Sequence, residues 1–256
     1  SQQYIVIMSE KAHYQTEKEF LANYDIHQFD VPLTSVDMGI FSLRDGELCV
    51  LLIKRSNFPA KGKWALPGGF INLKADKNLD ETAHRKLKEK TGVSSPYLEQ
   101  IGSFGSKSRD PRGWSVTVAY LALIASEEID LALSDTTEDI AWVRVDEAKE
   151  QYKLAFDHNE ILQTCHERLK SKVLYTSLPV NLLPNEFTLA DLQTTFEIIL
   201  DTDIEKKSFR KRMLDSGCIE ETGNVRRGSN RPAKLYKTSL NGEQFFFTRI
   251  IEGPRK

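Results

Sequence analysis

Three charged residues near the middle of the chain, Lys86, Glu89 and Lys90, share one face of a predicted helix, because they are spaced i,i+3 and i,i+4. Three carboxylates at this spacing would offer Mg²⁺ the oxygen ligands that it prefers. The face instead carries one carboxylate and two ammonium groups, and like charges about 4 Å apart cost about 4 kcal/mol per unit charge at a near-surface dielectric. The pattern therefore predicts no tight Mg²⁺ site, and we expect Glu89 to pair with Lys86 or Arg85.

The helix that positions these charges is predicted to run from Leu79 to about Lys90, with Asn78 as its cap and Gly92 at its end. Ahead of it, two apolar segments at 35–43 and 48–53 flank an Asp-Gly turn, which is typical of a β-hairpin. Further strands are predicted at 97–106, 114–124 and 140–145, and a helix at 159–172. The chain is therefore expected to be α+β.

A second concentration of charge lies near the C-terminus, where residues 206–237 hold 10 basic and 3 acidic residues in a chain of net charge -2. From Thr188 onward the pattern predicts a helix at 189–200, a tight turn, a basic helix at 204–216, and two short strands around the loop 223–232. This order resembles a winged helix-turn-helix.

In that fold an exposed basic face on the second helix suits the major groove, and an arginine-rich wing suits the minor groove or phosphates. The residues expected to contact DNA are Lys206, Lys207, Arg210, Lys211, Arg226, Arg227, Asn230, Arg231 and Lys234. A small winged domain that contacts proteins, with its charges only solvated, remains the alternative.

Composition excludes several classes of protein. Apolar residues make up 40% and charged residues 28% of the chain, and no run approaches the roughly 18 apolar residues that span a bilayer. The first residues lack a basic lead and a cleavage site, so no signal peptide is predicted. Cys49, Cys165 and Cys218 have no metal or disulfide spacing, which favours buried free thiols and a cytoplasmic protein.

The stretch 69–93 resembles the Nudix box, G-x5-E-x7-R-E-U-x-E-E-x-G-U, in which U is aliphatic. The matching positions are Gly69, Arg85, Leu87, Glu89, Gly92 and Val93, and the preceding segment 64–70 is also similar to the family. The other box glutamates fall on Lys77, Lys86 and Lys90, and the segment from Gly69 to Arg85 is two residues longer than the pattern. The resemblance implies a Nudix α/β/α sandwich with a mixed sheet. It also implies that the nucleotide pocket is retained although the metal site is lost.

Basic and aromatic residues around the box are the predicted ligand site. Its candidates are Arg55, Trp64, Gly69, Phe70, Glu89, Phe104, Arg109, Arg112 and His158. Each aromatic residue has core packing as its alternative, and His158 has the alternative of a structural hydrogen bond. Lys86 and Lys90 either face a diphosphate or are simply solvated.

A Nudix domain with an altered box joined to a winged helix resembles the NrtR-type regulators of bacterial NAD metabolism. The resemblance also rests on the loop 109–113 and on the segments 154–158 and 229–236. It implies a homodimeric repressor whose Nudix domain binds ADP-ribose and then releases double-stranded operator DNA. No cofactor is then required, no membrane is involved, and the protein is not an enzyme, although weak residual hydrolysis stays open.

The corresponding domain boundaries are an N-terminal arm at 1–30, the Nudix-like domain at 31–155, a helix and connector at 156–187, and the winged helix at 188–256. The rival function is an active Nudix hydrolase, an ADP-ribose pyrophosphatase, that carries an accessory domain.

Overall fold

The computed structural model describes residues 14–94, 97–228, 231–239 and 243–251. They form two units, one before Leu33 and one from Leu33 onward. The first contains α1 (Glu17–Asn23) and a 3₁₀ turn (Ile26–Gln28). Thr16 caps α1 by accepting a hydrogen bond from the Glu19 amide at 3.1 Å. The arm's first thirteen residues lie outside the described residues.

The second unit is built on a mixed sheet. Its strands are β1 (Leu33–Arg44), β2 (Glu47–Arg55), β3 (Trp64–Ala65), β4 (Gly68–Phe70), β5 (Tyr97–Ser106), β6 (Ser115–Leu123) and β7 (Thr137–Arg144). They run in the order β3-β2-β1-β6-β5, with β4 paired to β1 and β7 paired to β2. Only β1 and β6 run parallel among the described pairs. The predicted hairpin between β1 and β2 is confirmed, and its turn residues Asp45 and Gly46 both have positive φ, 51° and 77°, as a two-residue hairpin turn requires.

Helices cover both faces of this sheet. Alternation along β1 and β6 sends Val36, Met38, Ile40 and Tyr120 against Ala83 and Leu87 of α2 (Leu79–Thr91). The opposite face, with Phe41, Ala119 and Leu121, packs against Ile161, Leu162 and Cys165 of α4 (His158–Val173). The short helix α3 (Val145–Gln151) follows β7. The result is the predicted α/β/α sandwich, with Asn78 and Gly92 at the ends of α2 as expected.

A smaller helical and β-hairpin region follows α4. After a 3₁₀ turn (Leu178–Leu182) come α5 (Leu189–Leu200), α6 (Lys206–Ser216), β8 (Ile219–Arg226) and β9 (Ala233–Thr238). Ile204, Phe209 and Met213 are buried on the inner side of this region. Helix, turn, helix and two-stranded wing thus occur in the predicted order.

Two predicted boundaries in this region were wrong. The basic helix begins at Lys206 rather than Ile204, because Glu205 caps it by accepting the amides of Lys207 and Ser208 at 2.9 and 2.7 Å. The strand β8 continues to Arg226 because Gly223, at a φ of 85°, lies in a bulge within the strand and does not end it. The wing loop is correspondingly shorter than predicted. Among the described residues no helix has the length and apolar character needed to cross a bilayer.

Candidate functional site

A pocket lies where β1, β2, β4, the loop 109–113 and the start of α4 meet. Of the residues predicted to bind a ligand, it brings together Arg55, Gly69, Phe70, Arg109, Arg112 and His158. It adjoins a cleft of 540 Å³, with which it shares Arg109 and Phe156; small-molecule sites commonly have volumes of about 300–1,000 Å³. Trp64, Glu89 and Phe104 do not line the pocket. Trp64 and Phe104 pack against the main core instead.

The floor of the pocket is a buried charge network around Arg109, whose side chain is 7% exposed. Its Nε and Nη2 donate to the two carboxylate oxygens of Asp157, both at 2.8 Å, and Nη2 lies 3.6 Å from Asp37. Burial alone would lower the pKa of Arg109, but the hydrogen bonds to Asp157 raise it overall. Arg109 is therefore a charged and largely satisfied guanidinium in this conformation.

His158 joins the same network from the first turn of α4. Its Nδ1 accepts a hydrogen bond from the Leu66 amide at 3.0 Å, so Nδ1 carries no proton. Its Nε2 then faces Asp37 at 3.6 Å. The histidine thus fixes the turn before β4 to the start of α4 and borders the pocket.

Two further guanidinium groups stand at the rim. Arg112 is held by Asp110 through bonds of 2.7–3.2 Å and lies over the Phe70 ring at 5.1 Å. Arg55 lies over the Phe156 ring at 5.0 Å and donates Nε to the Pro59 carbonyl at 3.0 Å. Burial lowers the pKa of Arg55, and the neighbouring charge of Arg112 lowers it further.

Arg55 forms no ion pair with a carboxylate among the described residues, and the favourable charges of Asp110 and Asp37 do not outweigh its burial and the repulsion from Arg112, since its pKa is lowered overall. Guanidinium groups form their strongest hydrogen bonds with anions such as phosphate and carboxylate. An anion placed between Arg55 and Arg112 would relieve their repulsion. The pocket is therefore chemically suited to a small anionic ligand whose remaining part fills the wide cleft.

The two signature-helix lysines have different surroundings. Lys86 Nζ lies 3.3 Å from Glu89, which also pairs with Arg85 at 3.1 Å, so the expected pairing of Glu89 is confirmed. The Lys86 side chain covers Gly69, because a Cβ built on that glycine would lie 2.7 Å from Lys86 Cε. It therefore stands directly behind the pocket wall.

Lys90 is only 6% exposed, and its ammonium donates to Ser134 Oγ at 2.6 Å and to Thr137 Oγ1 at 2.7 Å. Burial lowers the pKa of Lys90. Ser134 lies before β7 and Thr137 is its first residue, so Lys90 ties α2 to this segment. Lys90 does not line the pocket.

The α2 face does not fit Mg²⁺. Its single carboxylate is occupied by Arg85 and Lys86, and the two other positions carry ammonium groups. The carboxylate that holds Arg85 is Asp76, whose two oxygens accept from the guanidinium at 2.7 Å each. These hydrogen bonds keep the pKa of Asp76 well below its usual range. The sequence pattern placed the upstream box glutamate on Lys77 and so missed Asp76.

The other charged or aromatic site residues that were not predicted are Asp37, Asp110, Phe156 and Asp157. Asp37 is a lone charge inside an apolar strand, a signal that could have marked it. Asp157 precedes His158, and both lie in a segment already singled out. Phe156 has a φ of 55°, a left-handed conformation that non-glycine residues rarely adopt, and no sequence pattern shows this.

The winged region presents a basic surface. Every described residue predicted to contact DNA is exposed: Lys206, Lys207, Arg210, Lys211, Arg226, Arg227, Arg231 and Lys234. Asn230 lies outside the described residues. Several of these cations pair with carboxylates of the same region, as Lys211 does with Asp215, Arg226 with Asp191 and Lys234 with Glu221.

A groove of 560 Å³ runs between the start of α5, α6 and β9. Four of the exposed cations line it: Lys206, Arg210, Arg231 and Lys234. The first turn of α5 contributes Leu189 and Ala190 to the same groove. Positive charge is therefore gathered along one surface that joins the helix to the wing.

Comparison with known proteins now decides the family. The NUDIX domain model matches residues 33–165, and the NrtR DNA-binding winged helix domain model matches residues 179–238. The chain is 48% identical over 248 residues to the ADPR responsive transcriptional repressor NtrR of Acinetobacter baylyi, covering 97% of this chain and 98% of that relative. The chain belongs to the NrtR family.

Solved NrtR structures are similar throughout both regions. Shewanella oneidensis NrtR in complex with a 27mer DNA has 40% identity and a TM-score of 0.79, over 86% of this chain and 99% of that one. The NUDIX domain of Shewanella oneidensis NrtR in complex with ADP ribose has 45% identity and a TM-score of 0.56, over 60% of this chain and 99% of that one. The resemblance and the fold class that the sequence predicted are confirmed.

Proposed function

We propose that this chain is a transcriptional repressor of NAD metabolism genes that releases operator DNA when its Nudix domain binds ADP-ribose. The observation that carries the proposal is the guanidinium of Arg55, which has no ion-pair partner among the described residues and lies beside Arg112, in a pocket that adjoins a cleft of 540 Å³. The ADP ribose complex of the related Shewanella oneidensis NUDIX domain supports the choice of ligand.

In this proposal the diphosphate lies between Arg55 and Arg112. Phe70 and Phe156, each already facing a guanidinium, are the aromatic rings available to the rest of the ligand. Gly69, Arg109 and His158 complete the wall. Glu89 contributes indirectly, because it holds Lys86 against Gly69, while Trp64 and Phe104 support the fold.

The Nudix domain senses its ligand without cleaving it. Hydrolysis in this family's pattern needs carboxylates that hold Mg²⁺ next to the diphosphate. Here one carboxylate is occupied by two cations, and a divalent ion brought to this face would meet the ammonium of Lys86 at a cost of several kcal/mol. No metal or other cofactor is then required for ligand binding.

The winged helix binds double-stranded DNA through the exposed cations of α6 and the wing, with Lys206, Lys207 and Arg210 on the helix and Arg227 and Arg231 on the wing. Residues 31–155, together with the start of α4, form the sensor, and residues 188–256 form the DNA-binding domain in this division. The protein acts in the cytoplasm as a homodimer. A dimer suits a palindromic operator because its two winged helices can each bind one half-site.

The test is a fluorescence anisotropy titration of a duplex that the protein itself has selected from random sequence. Addition of ADP-ribose up to millimolar concentration is expected to weaken DNA binding by roughly 5–150-fold. An unchanged DNA affinity would refute the sensor. Weak, salt-independent binding to every duplex would favour a protein-interaction module instead.

The rival hydrolase is tested separately by incubation with ADP-ribose and Mg²⁺. We expect release of AMP and ribose phosphate at the level of a Glu89→Gln control. Turnover clearly above that control would identify an enzyme.

A further inference from the structure

Helix α4 connects the ligand pocket with the far side of the molecule. Asp157 and His158 stand at its pocket end, and Lys172 and Val173 at the other. A helix of this length spans about 24 Å at 1.5 Å per residue. Asp157 and Glu160, at the start of α4, line the wide cleft together with Arg109, to which Asp157 is bonded. A ligand that fills the cleft therefore contacts the start of α4 directly.

The far end of α4 is fixed by a buried polar network. Lys172 is 6% exposed and lies 2.8 Å from the Glu99 carboxylate, which also accepts bonds from Tyr97 at 2.7 Å and from Arg168 at 2.6 Å. Burial alone would raise the pKa of Glu99, but these hydrogen bonds lower it overall. Gln244 joins the network through Lys172 Nζ at 3.5 Å and Tyr97 at 3.4 Å.

Gln244 begins a C-terminal strap, which we define as residues 244–251. The strap pairs with the segment 174–177 that directly follows α4. Phe247 donates its amide to the Tyr175 carbonyl at 2.7 Å, Ile251 donates to Leu174 at 2.8 Å, and Ser177 donates to the Phe245 carbonyl at 2.9 Å. The strap is therefore fastened to the end of α4 by backbone and side-chain bonds.

The strap also holds the basic helix α6. Arg212 donates to the carbonyls of Arg249 and Ile250, the latter at 2.8 Å, and its guanidinium lies over the Phe247 ring at 5.0 Å. The winged helix is thus attached to α4 by the chain through residues 174–188, by the packing of α5 on α4 in a shared core, and by the strap. The strap reaches the basic helix α6 directly through Arg212, so it restrains the orientation of that helix.

We propose that the strap and Arg212 are the coupling element through which ligand binding at the start of α4 repositions α6. This inference rests on the proposed function. Arg212 is a positioning residue in it: the residue transmits the response and contributes little to either binding event. Substitution of Arg212 should therefore weaken the effect of ADP-ribose on DNA binding, while the affinities for ADP-ribose and for DNA each stay nearly unchanged.

The experiment uses the full-length protein with Arg212→Met, which keeps the length of the side chain but removes its charge and hydrogen bonds. Gln244→Ala breaks the other end of the strap independently. Arg144→Met, at an exposed arginine paired with Glu47 at 3.5 Å, is the matched control. Calorimetry measures ADP-ribose affinity, and anisotropy measures DNA affinity with and without saturating ADP-ribose.

For the wild type and the control we expect the same ratio of the two DNA dissociation constants, roughly 5–150. For Arg212→Met and Gln244→Ala we expect the ratio to fall below about 2, with ADP-ribose affinity within about 2-fold and ligand-free DNA affinity within about 3-fold of the wild type. A wild-type ratio in both folded variants would overturn the coupling role. Absence of a binding heat with the wild type would instead show that the proposed function itself has failed.

Discussion

Arg55 offers the sharpest test of the pocket, because its binding role and its structural role predict different results. It is half-buried, lies over Phe156 at 5.0 Å and donates to Pro59 at 3.0 Å, yet has no carboxylate partner among the described residues. The perturbation is Arg55→Met, which keeps the aliphatic stem and removes the charge. Lys54→Met is the matched control, since Lys54 precedes it on β2 and pairs with Glu138 at 3.4 Å.

The expected loss of affinity follows from the charge. One guanidinium and one phosphate charge about 4 Å apart attract by about 4 kcal/mol at an effective dielectric of 20, and competition with water reduces this to the ~1.5–3 kcal/mol typical of hydrogen bonds to charged groups. At about 1.4 kcal/mol per decade, Arg55→Met should weaken ADP-ribose binding by about 10–150-fold.

The expected change in stability is much smaller. Without ligand, the substitution loses the Pro59 hydrogen bond and the stacking on Phe156, together on the order of 1–2 kcal/mol. It gains from the release of a buried charge repelled by Arg112, the same effects that lower the pKa of Arg55. The net change in the free energy of unfolding should therefore stay below about 1 kcal/mol.

Calorimetry with ADP-ribose and urea unfolding of the ligand-free protein measure the two quantities. A loss of affinity below about 3-fold for Arg55→Met would refute the placement of the diphosphate. A comparable loss of ADP-ribose affinity in Lys54→Met would show that any positive charge on β2 affects binding, and not the position of Arg55 in the pocket. A large loss of stability would assign Arg55 a structural role.

Three further predictions concern other parts of the molecule. His166 is 8% exposed, and burial lowers its pKa to about 4. As pH falls, the unfolded chain binds a proton at this residue before the folded chain does, so urea unfolding should show about 2 kcal/mol of stability lost between pH 7 and 5. His166→Gln should abolish this loss, whereas substitution of the exposed His84 should leave it unchanged. Lys207→Ala should reduce the slope of log DNA affinity against log salt by about 0.9, if the lysine neutralises one phosphate; an unchanged slope would remove it from the interface. Gly39→Ala should lower stability by about 1–3 kcal/mol, because the new Cβ would lie 2.7 Å from Cys165 Sγ between β1 and α4; thermal unfolding at the wild-type temperature would contradict that close packing.

The sequence predicts most of the fold because its signals are local. Asn78 and Gly92 mark both ends of α2, and the Asp-Gly turn fixes the first hairpin. The errors arise where a local signal has two meanings. Gly223 is typical of the end of a strand but lies in a bulge. Glu205 caps α6, although the nearby Asp203 is a residue type more common at that position.

The pocket is less predictable because it depends on contacts between distant segments. The arginines were found, since their type and position near the signature are informative. Asp37 and Asp157 were missed because they come from a strand and a helix start that are 120 residues apart and meet only in the folded chain. Trp64 was included because aromatic rings stack on nucleotides, but its ring lies at 6.2 Å from Tyr152 and packs against the core.

Lys86 and Lys90 look equivalent in the sequence, but their surroundings differ. Replacement by glutamate should therefore destabilise the protein little at Lys86 and strongly at Lys90. Lys86 is partly exposed, with 24% of its side chain accessible, so Lys86→Glu should cost no more than about 1 kcal/mol. Lys90 is buried, and a glutamate there is too short to reach Ser134 and Thr137 from the negative end of α2. Lys90→Glu should therefore cost about 2–4 kcal/mol.

Urea unfolding of both variants at neutral pH measures this difference, and Lys90→Met separates the loss of the ammonium from the introduction of a carboxylate. Lys90→Met should cost less than Lys90→Glu, because it loses the two hydrogen bonds of the ammonium but introduces no buried carboxylate. If Lys90→Glu is no more costly than Lys86→Glu, then Lys90 is not a structural tie between α2 and the loop before β7. If Lys90→Glu is the more costly, then Lys90 stabilises the contact between α2 and the loop before β7. Restoring a metal site on α2 would then require substitutions in that loop as well.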